Sequence, residues 1–106
     1  MRKLRDGRLT LNELKKILLD RVEDQDWEDN FYPTNLAKSI AISSNDLLKE
    51  FQWMDSVESW EPIINPTSKR RIKQKIGRIF FQLMLFSEVT EIEITHCLVE
   101  KKGLKL

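Results

Sequence analysis

The segment Trp27-Glu28-Asp29-Asn30-Phe31-Tyr32-Pro33-Thr34-Asn35-Leu36, continued further on by Asp46-Leu47-Leu48-Lys49-Glu50-Phe51-Gln52-Trp53, decides how this chain reads. Pro33 disfavours the α region at Tyr32 before it, so the polar stretch Gln25 to Pro33 reads as a loop. Thr34 or Asn35 then stands where a helix N-cap belongs. Leu36, Ala37, Ile40, Ala41, Leu47, Leu48 and Phe51 recur at helical spacing up to about Met54 and form one face. Ser43, Asp46, Lys49, Glu50 and Trp53 fall on a neighbouring face, polar with an aromatic end.

Working outward, Thr10-Leu11-Asn12-Glu13 has the form of a capping box, in which Thr and Glu each satisfy a free backbone N–H. Leu11, Leu14, Ile17, Leu18 and Val22 follow at helical spacing and predict a first helix over Leu11 to Glu23. Asp55 to Thr67, with Pro62 and Pro66, reads as a loop. A third helix starts at Ser68, with Ile72, Ile76, Ile79, Phe80, Leu83 and Phe86 inward and Lys75, Arg78 and Gln82 on a polar line. Thr90-Glu91-Ile92-Glu93 repeats the capping-box form before a short fourth helix of Ile94 to Lys102, which Gly103 ends. No hairpin signal and no internal repeat is present. The fold class expected is therefore all-α, four helices around one core.

A chain of 106 residues makes a single domain, 1–106, with residues 1–9 as a flexible N-terminal extension. Hydrophobic residues at 41% and charged ones at 33% are the balance of a soluble helical protein. The longest apolar run, Ile79 to Phe86, is far short of a membrane span, and the N-terminus carries no apolar segment of a secretory signal. Cys97 is alone, so no intrachain disulfide forms and a cytoplasmic setting is expected. The net charge of +1 gives no argument for nucleic acid. Its distribution is uneven. Asp20 to Asp29 holds six acids against Arg21, and Lys69 to Arg78 holds six bases and no acid. Both runs read as solvated faces, or the basic run meets phosphate or the acidic run of a second subunit.

With those residues in view, the chain from Arg21 to Lys105 resembles the all-α nucleotide pyrophosphohydrolases, the MazG-like and dCTP pyrophosphatase group. The carrying motifs are Trp27, the Pro33-Thr34-Asn35-Leu36 run, Phe51-Gln52-Trp53, and Ile92-Glu93-Ile94-Thr95-His96-Cys97 with Lys101 beyond. The resemblance implies a four-helix MazG-like protomer that dimerises or assembles further. It also implies carboxylates at i and i+3 on two helices, holding Mg²⁺ on a nucleoside triphosphate. Mg²⁺ takes near-octahedral oxygen ligation and helps activate water. At the four corresponding positions this chain carries Ser43, Asp46, Lys75 and Arg78, and Lys105 replaces a family asparagine. Only Asp46 is acidic. Two cations within about 4–6 Å of an ion's position oppose its binding, so no metal and no other cofactor is expected. Mg²⁺ enters only if an active, rearranged site survives.

Two readings follow for Lys75 and Arg78. They pair with Asp46 and Glu50 and close the site, or they replace the metal's charge and contact phosphate directly, Arg bidentately and Lys as a point charge. The resemblance also places Trp27 and Trp53 along a base pocket, where stacking needs only a flat π face. The same two residues serve equally as packing anchors. Tyr32 stands where the family often has His. The nucleotide-binding candidates are thus Trp27, Tyr32, Trp53, Lys75, Arg78 and Lys101, with no catalytic residue and no metal ligand assigned. Trp60 reads as loop packing, Cys97 as a buried small hydrophobe, and Glu50, Asp55, Glu58 and Glu61 as solvated acids. Adjacent side chains on a helix diverge, so His96 and Cys97 do not pair.

The function expected is a degenerate MazG-like module that binds a nucleotide or regulates without metal-dependent hydrolysis, leaning away from an enzyme. The alternatives are an active nucleoside triphosphate pyrophosphohydrolase with a rearranged site, and a helical interaction protein with a closed pocket. The partners expected are a nucleotide and a second copy of the chain, with no membrane.

Overall fold

A computed structural model describes residues 6–21 and 32–99. Trp27, Lys101, most of the acidic run and the predicted helix end at Gly103 lie outside them. The described residues are all-helical, with no strand among them. Five α-helices follow in order: α1 (Leu11–Asp20), α2 (Pro33–Leu48), α3 (Glu61–Ile64), α4 (Pro66–Thr90) and α5 (Ile94–Val99), with a 3₁₀ turn at Glu58–Trp60 ahead of α3. No helix among the described residues is long and apolar enough to cross a membrane.

The capping box at Thr10 forms as expected. Glu13 N–H donates to Thr10 Oγ1 at 3.1 Å and Thr10 N–H donates to Glu13 Oε1 at 2.9 Å. These hydrogen bonds hold the Glu13 carboxyl below its ordinary pKa, the Thr10 backbone N–H contributing most. α1 ends at Asp20 with Arg21 as C-cap, short of Glu23. α2 begins at Pro33 itself rather than after Thr34 or Asn35, with Tyr32 as N-cap. Proline suits that first position because its fixed φ is helical and its missing N–H would lack a partner anyway. α2 also stops at Leu48, not Met54. Glu50 N–H turns back to Leu47 O and Phe51 N–H to Leu48 O, so the last turn tightens into 3₁₀ geometry.

The expected loop from Asp55 to Thr67 instead contains structure. Asp55 and Glu58 form a reciprocal capping pair, Glu58 N–H to Asp55 Oδ1 at 2.8 Å and Asp55 N–H to Glu58 Oε1 at 3.0 Å. It opens the turn that leads into α3. Asn65 then caps α4, its Oδ1 accepting from Thr67 and Ser68 N–H, with Pro66 as first helical residue. α4 therefore starts two residues before Ser68. It runs 25 residues and ends in a Schellman turn: Glu91 is left-handed at φ 58, and Ile92 N–H reaches back to Ser87 O. This turn takes the place of the second capping box. Thr90 stays in the helix, and its hydroxyl donates to Phe86 O.

The core is small. Leu36 of α2 meets Leu85 of α4, both buried, with Leu19, Phe81, Phe86 and Val89 packed around them; Ile72 and Met84 are also buried. Burial departs from the apolar pattern in one consistent way. Ile76 (52%), Leu83 (45%), Phe80 (38%) and Leu48 (53%) are exposed, although the spacing placed them inward. Ser43, from the polar face of α2, is buried at 6%. The packed seam thus takes in part of each polar line beside the core leucines, while part of each apolar face is left exposed.

Candidate functional site

α2 and α4 run antiparallel, and three contacts set their register: Leu36 against Leu85, Asp46 against Lys75, and Glu50 against Arg71. The residues involved are ten and then four apart along each element, about three turns and one turn, which brings them near one face. By the same register Ser43 lies at the level of Arg78, and Ser39 at that of Gln82. The four positions singled out in the sequence, Ser43, Asp46, Lys75 and Arg78, thus occupy neighbouring levels of one seam.

Glu50 is the centre of that seam. Its side chain is only 9% exposed and accepts from Arg71 Nη2 at 3.0 Å, Arg71 Nε at 3.1 Å and Lys75 Nζ at 2.6 Å. The fork of the guanidinium matches one carboxylate, and the ammonium adds a third charge-assisted bond. Hydrogen bonds from Arg71, then from Lys75, hold the Glu50 carboxyl down at about 2, while Glu50 pushes the Arg71 guanidinium up. Lys75 Nζ also donates to the Asp46 carbonyl at 3.1 Å and lies 3.8 Å from Asp46 Oδ1. The lysine ammonium therefore sits between Asp46 of α2 and Glu50 just beyond its end. Such a position suits a cation, and a side-chain cation fills it.

Reading Glu50 as a solvated acid is corrected by these contacts. The signal was in the sequence: acids four apart, Asp46 and Glu50, face bases four apart, Arg71 and Lys75. That pairing needs the antiparallel register, which periodicity within one helix does not supply. Arg71, absent from the candidates, supplies two of the three hydrogen bonds to Glu50.

The remaining candidates disperse. Arg78 is exposed and has no ion pair or hydrogen bond among the described residues. Tyr32, 58% exposed, caps the N-terminus of α2, and Trp53, 88% exposed, follows its C-terminus. The 16 residues of α2 between them span about 24 Å, so the two rings do not approach one another. Trp60 is 64% exposed rather than packed into a loop, and Cys97 is exposed, not buried. One atom of the seam is left without a partner among the described residues: Gln82 Oε1, buried one turn beyond Arg78. No group of three or more His, Cys, Asp or Glu among the described residues is placed to hold a metal ion.

The seam of this all-helical chain thus sets Asp46 of α2, and Glu50 just beyond its end, against α4, and the chain has a distant likeness to the nucleotide pyrophosphohydrolases. The chain is similar to dCTP pyrophosphatase 1 of Rattus norvegicus and to dCTP pyrophosphatase 1 of Mus musculus, each 17% identical over 92 residues, which is 87% of this chain and 54% of the relative. The chain thus spans about half the length of the curated relatives it matches. No family model and no solved structure matches it.

Proposed function

We propose that this chain is a nucleotide pyrophosphohydrolase-like helical module that binds nucleotide phosphate without a divalent ion and does not hydrolyse it. The observation that carries the reading is Lys75 Nζ, held 2.6 Å from Glu50 Oε2 and 3.8 Å from Asp46 Oδ1. A positive charge already lies between the carboxylates of Asp46 and Glu50, and Arg71 neutralises the second of them. A divalent ion there would meet an ammonium at bonding range, which opposes its entry.

Within the seam the two acids and the two bases, Lys75 and Arg71, balance. Arg78, one turn further along α4, has no acid beside it among the described residues and presents an uncompensated guanidinium at the level of buried Ser43. Guanidinium binds phosphate oxygens bidentately. Phosphate is therefore proposed to contact Arg78, with the base on an exposed ring such as Trp53. Tryptophan fluorescence titrated with a panel of nucleoside triphosphates in EDTA tests this. Binding that survives EDTA, weakens with salt and falls in Arg78→Ala is the expected result. Mg²⁺-dependent release of pyrophosphate would instead establish an active enzyme.

One observation favours a second reading, a helical interaction protein with a closed seam. Lys75 is fully engaged by Glu50 and Asp46, so it is not free to meet phosphate. Lack of any response to nucleotides at millimolar concentration, in a folded sample, would select that reading.

A further inference from the structure

The antiparallel register sorts the bases between Lys69 and Arg78 onto two sides of α4. Arg71 and Lys75 turn to the seam, where Glu50 and Asp46 take them. Ser68 turns to α3, its hydroxyl donating to Pro62 O at 2.8 Å. At about 100° per residue, Lys69, Lys73, Gly77, Arg70 and Gln74 fall in that order across an arc of about 140° on the other side of the helix. All five are exposed, and none of Lys69, Arg70 and Lys73 makes an ion pair or hydrogen bond among the described residues. α4 itself carries no acid before Glu88. The chain's net charge of +1 conceals this face, since the acids lie outside it.

Gly77 stands near the middle of the arc, and a Cβ added there would meet nothing within 4 Å. Glycine weakens a helix interior, and no packing within the described residues requires it here. Its effect is to lower the surface between Lys73 and Arg70, so that a rigid neighbour can approach the helix backbone with a cation on either side. The rest of the face restricts the chemistry of that neighbour. It holds no apolar side chain to enter a bilayer and no aromatic ring on which an unstacked base could lie. Duplex nucleic acid keeps its bases stacked inside and carries one negative charge per about 1.7 Å of its axis. The roughly 6 Å of helix from Lys69 to Lys73 then meets about three or four phosphates.

We propose that this face of α4 docks on the phosphate backbone of double-stranded nucleic acid. Lys69, Arg70 and Lys73 each meet a phosphate, and Gln74 donates a hydrogen bond beside them. Contacts of this kind position a protein on a duplex without reading its sequence. Arg78 falls outside the arc, towards α2, so docking here is independent of the nucleotide reading.

The test uses the full chain in EDTA and follows the anisotropy of a fluorescent DNA duplex of mixed sequence. Binding is expected at about 20 mM salt, with log K falling against log salt at a slope of about −2.7, roughly 0.9 for each phosphate met. Affinity should therefore be about 80-fold lower at about 100 mM salt. Lys73→Gln should reduce the slope by about 0.9, and Lys69→Gln/Arg70→Gln/Lys73→Gln should abolish binding with unchanged helical circular dichroism. Gly77→Leu adds bulk without charge and should weaken binding several-fold at an unchanged slope. Arg78→Ala should keep the duplex bound while lowering the response to nucleotides, which separates failure here from failure of the nucleotide reading. No change in anisotropy with protein at about 100 μM in low salt overturns the proposal. Binding retained by the triple variant, or by Gly77→Leu at full strength, overturns it equally. Tighter binding to a single strand of the same length, to polyglutamate or to vesicles of anionic phospholipid would assign the face to a different anion and overturn it as well.

Discussion

Replacing Glu50 by Ala is expected to destabilise the fold by about 2 kcal/mol. The side chain is 9% exposed and takes three charge-assisted hydrogen bonds, two from Arg71 and one from Lys75. Its loss leaves Lys75, 19% exposed, with only the Asp46 carbonyl and a carboxylate oxygen at 3.8 Å. Arg71, 52% exposed, turns to water at little cost. Breaking a fully buried pair costs about 3–5 kcal/mol and an exposed one about 1 or less, so one buried and one half-exposed partner fall between. The pH dependence leads to the same figure. Glu50 titrates at about 2 in the folded chain against an ordinary 4.5. A carboxylate with a depressed folded pKa binds fewer protons folded than unfolded. Its contribution is therefore whole above pH 4.5 and drains as the pH falls towards 2. The full shift at about 1.36 kcal/mol per pH unit sets a ceiling of about 3.4 kcal/mol, which solvent screening around Arg71 reduces to about 2. Urea unfolding of wild type and Glu50→Ala at pH 7 and pH 3 measures both parts. The gap should be about 2 kcal/mol at pH 7 and less than half of that at pH 3. A gap below about 0.5 kcal/mol at pH 7, or one equal at both pH values, would refute the central role of this carboxylate.

Three further outcomes can be measured by the same unfolding assay. Leu85→Ala, at a site 3% exposed against Leu36, should cost about 2–5 kcal/mol, the range for a truncated core leucine. Gln82→Leu should stabilise by about 1 kcal/mol, since it removes a buried Oε1 that has no partner among the described residues and keeps the volume; a loss of stability would mean that this oxygen is satisfied. Glu91→Gly should also stabilise, by about 1 kcal/mol, because φ 58 strains any side chain and a negative charge opposes the dipole at a helix C-terminus.

The elements were largely legible in sequence wherever a local interaction makes them. The Thr10 capping box, the apolar spacing of α1, α2 and α4, and the class all-α depend on residues within four or five of each other. Where boundaries moved, local signals still explain them. Pro33 and Pro66 at first helical positions, Asn65 as cap and the Asp55–Glu58 pair were in the sequence and outweigh simple polarity. The likeness to a nucleotide pyrophosphohydrolase was also legible, on Phe51-Gln52-Trp53 and its neighbours.

Which face of a helix packs was a different matter. Periodicity names an apolar stripe but not what lies against it, and α4 has two stripes. The choice between them falls to α2 and the turn after it, where Asp46 and Glu50 reach Lys75 and Arg71 only when the two helices run antiparallel in one register. Charges 21 to 29 residues apart in sequence have no local interaction to reveal them. Tertiary structure therefore decided between the two readings of Lys75 in favour of its pairing with Asp46 and Glu50, and it alone decided that Arg78 is left over and that Ile76 and Leu83 face outward. The physical reason is that a small core can cover only one side of a long helix, and three short charge-assisted hydrogen bonds at Glu50 fix which side that is.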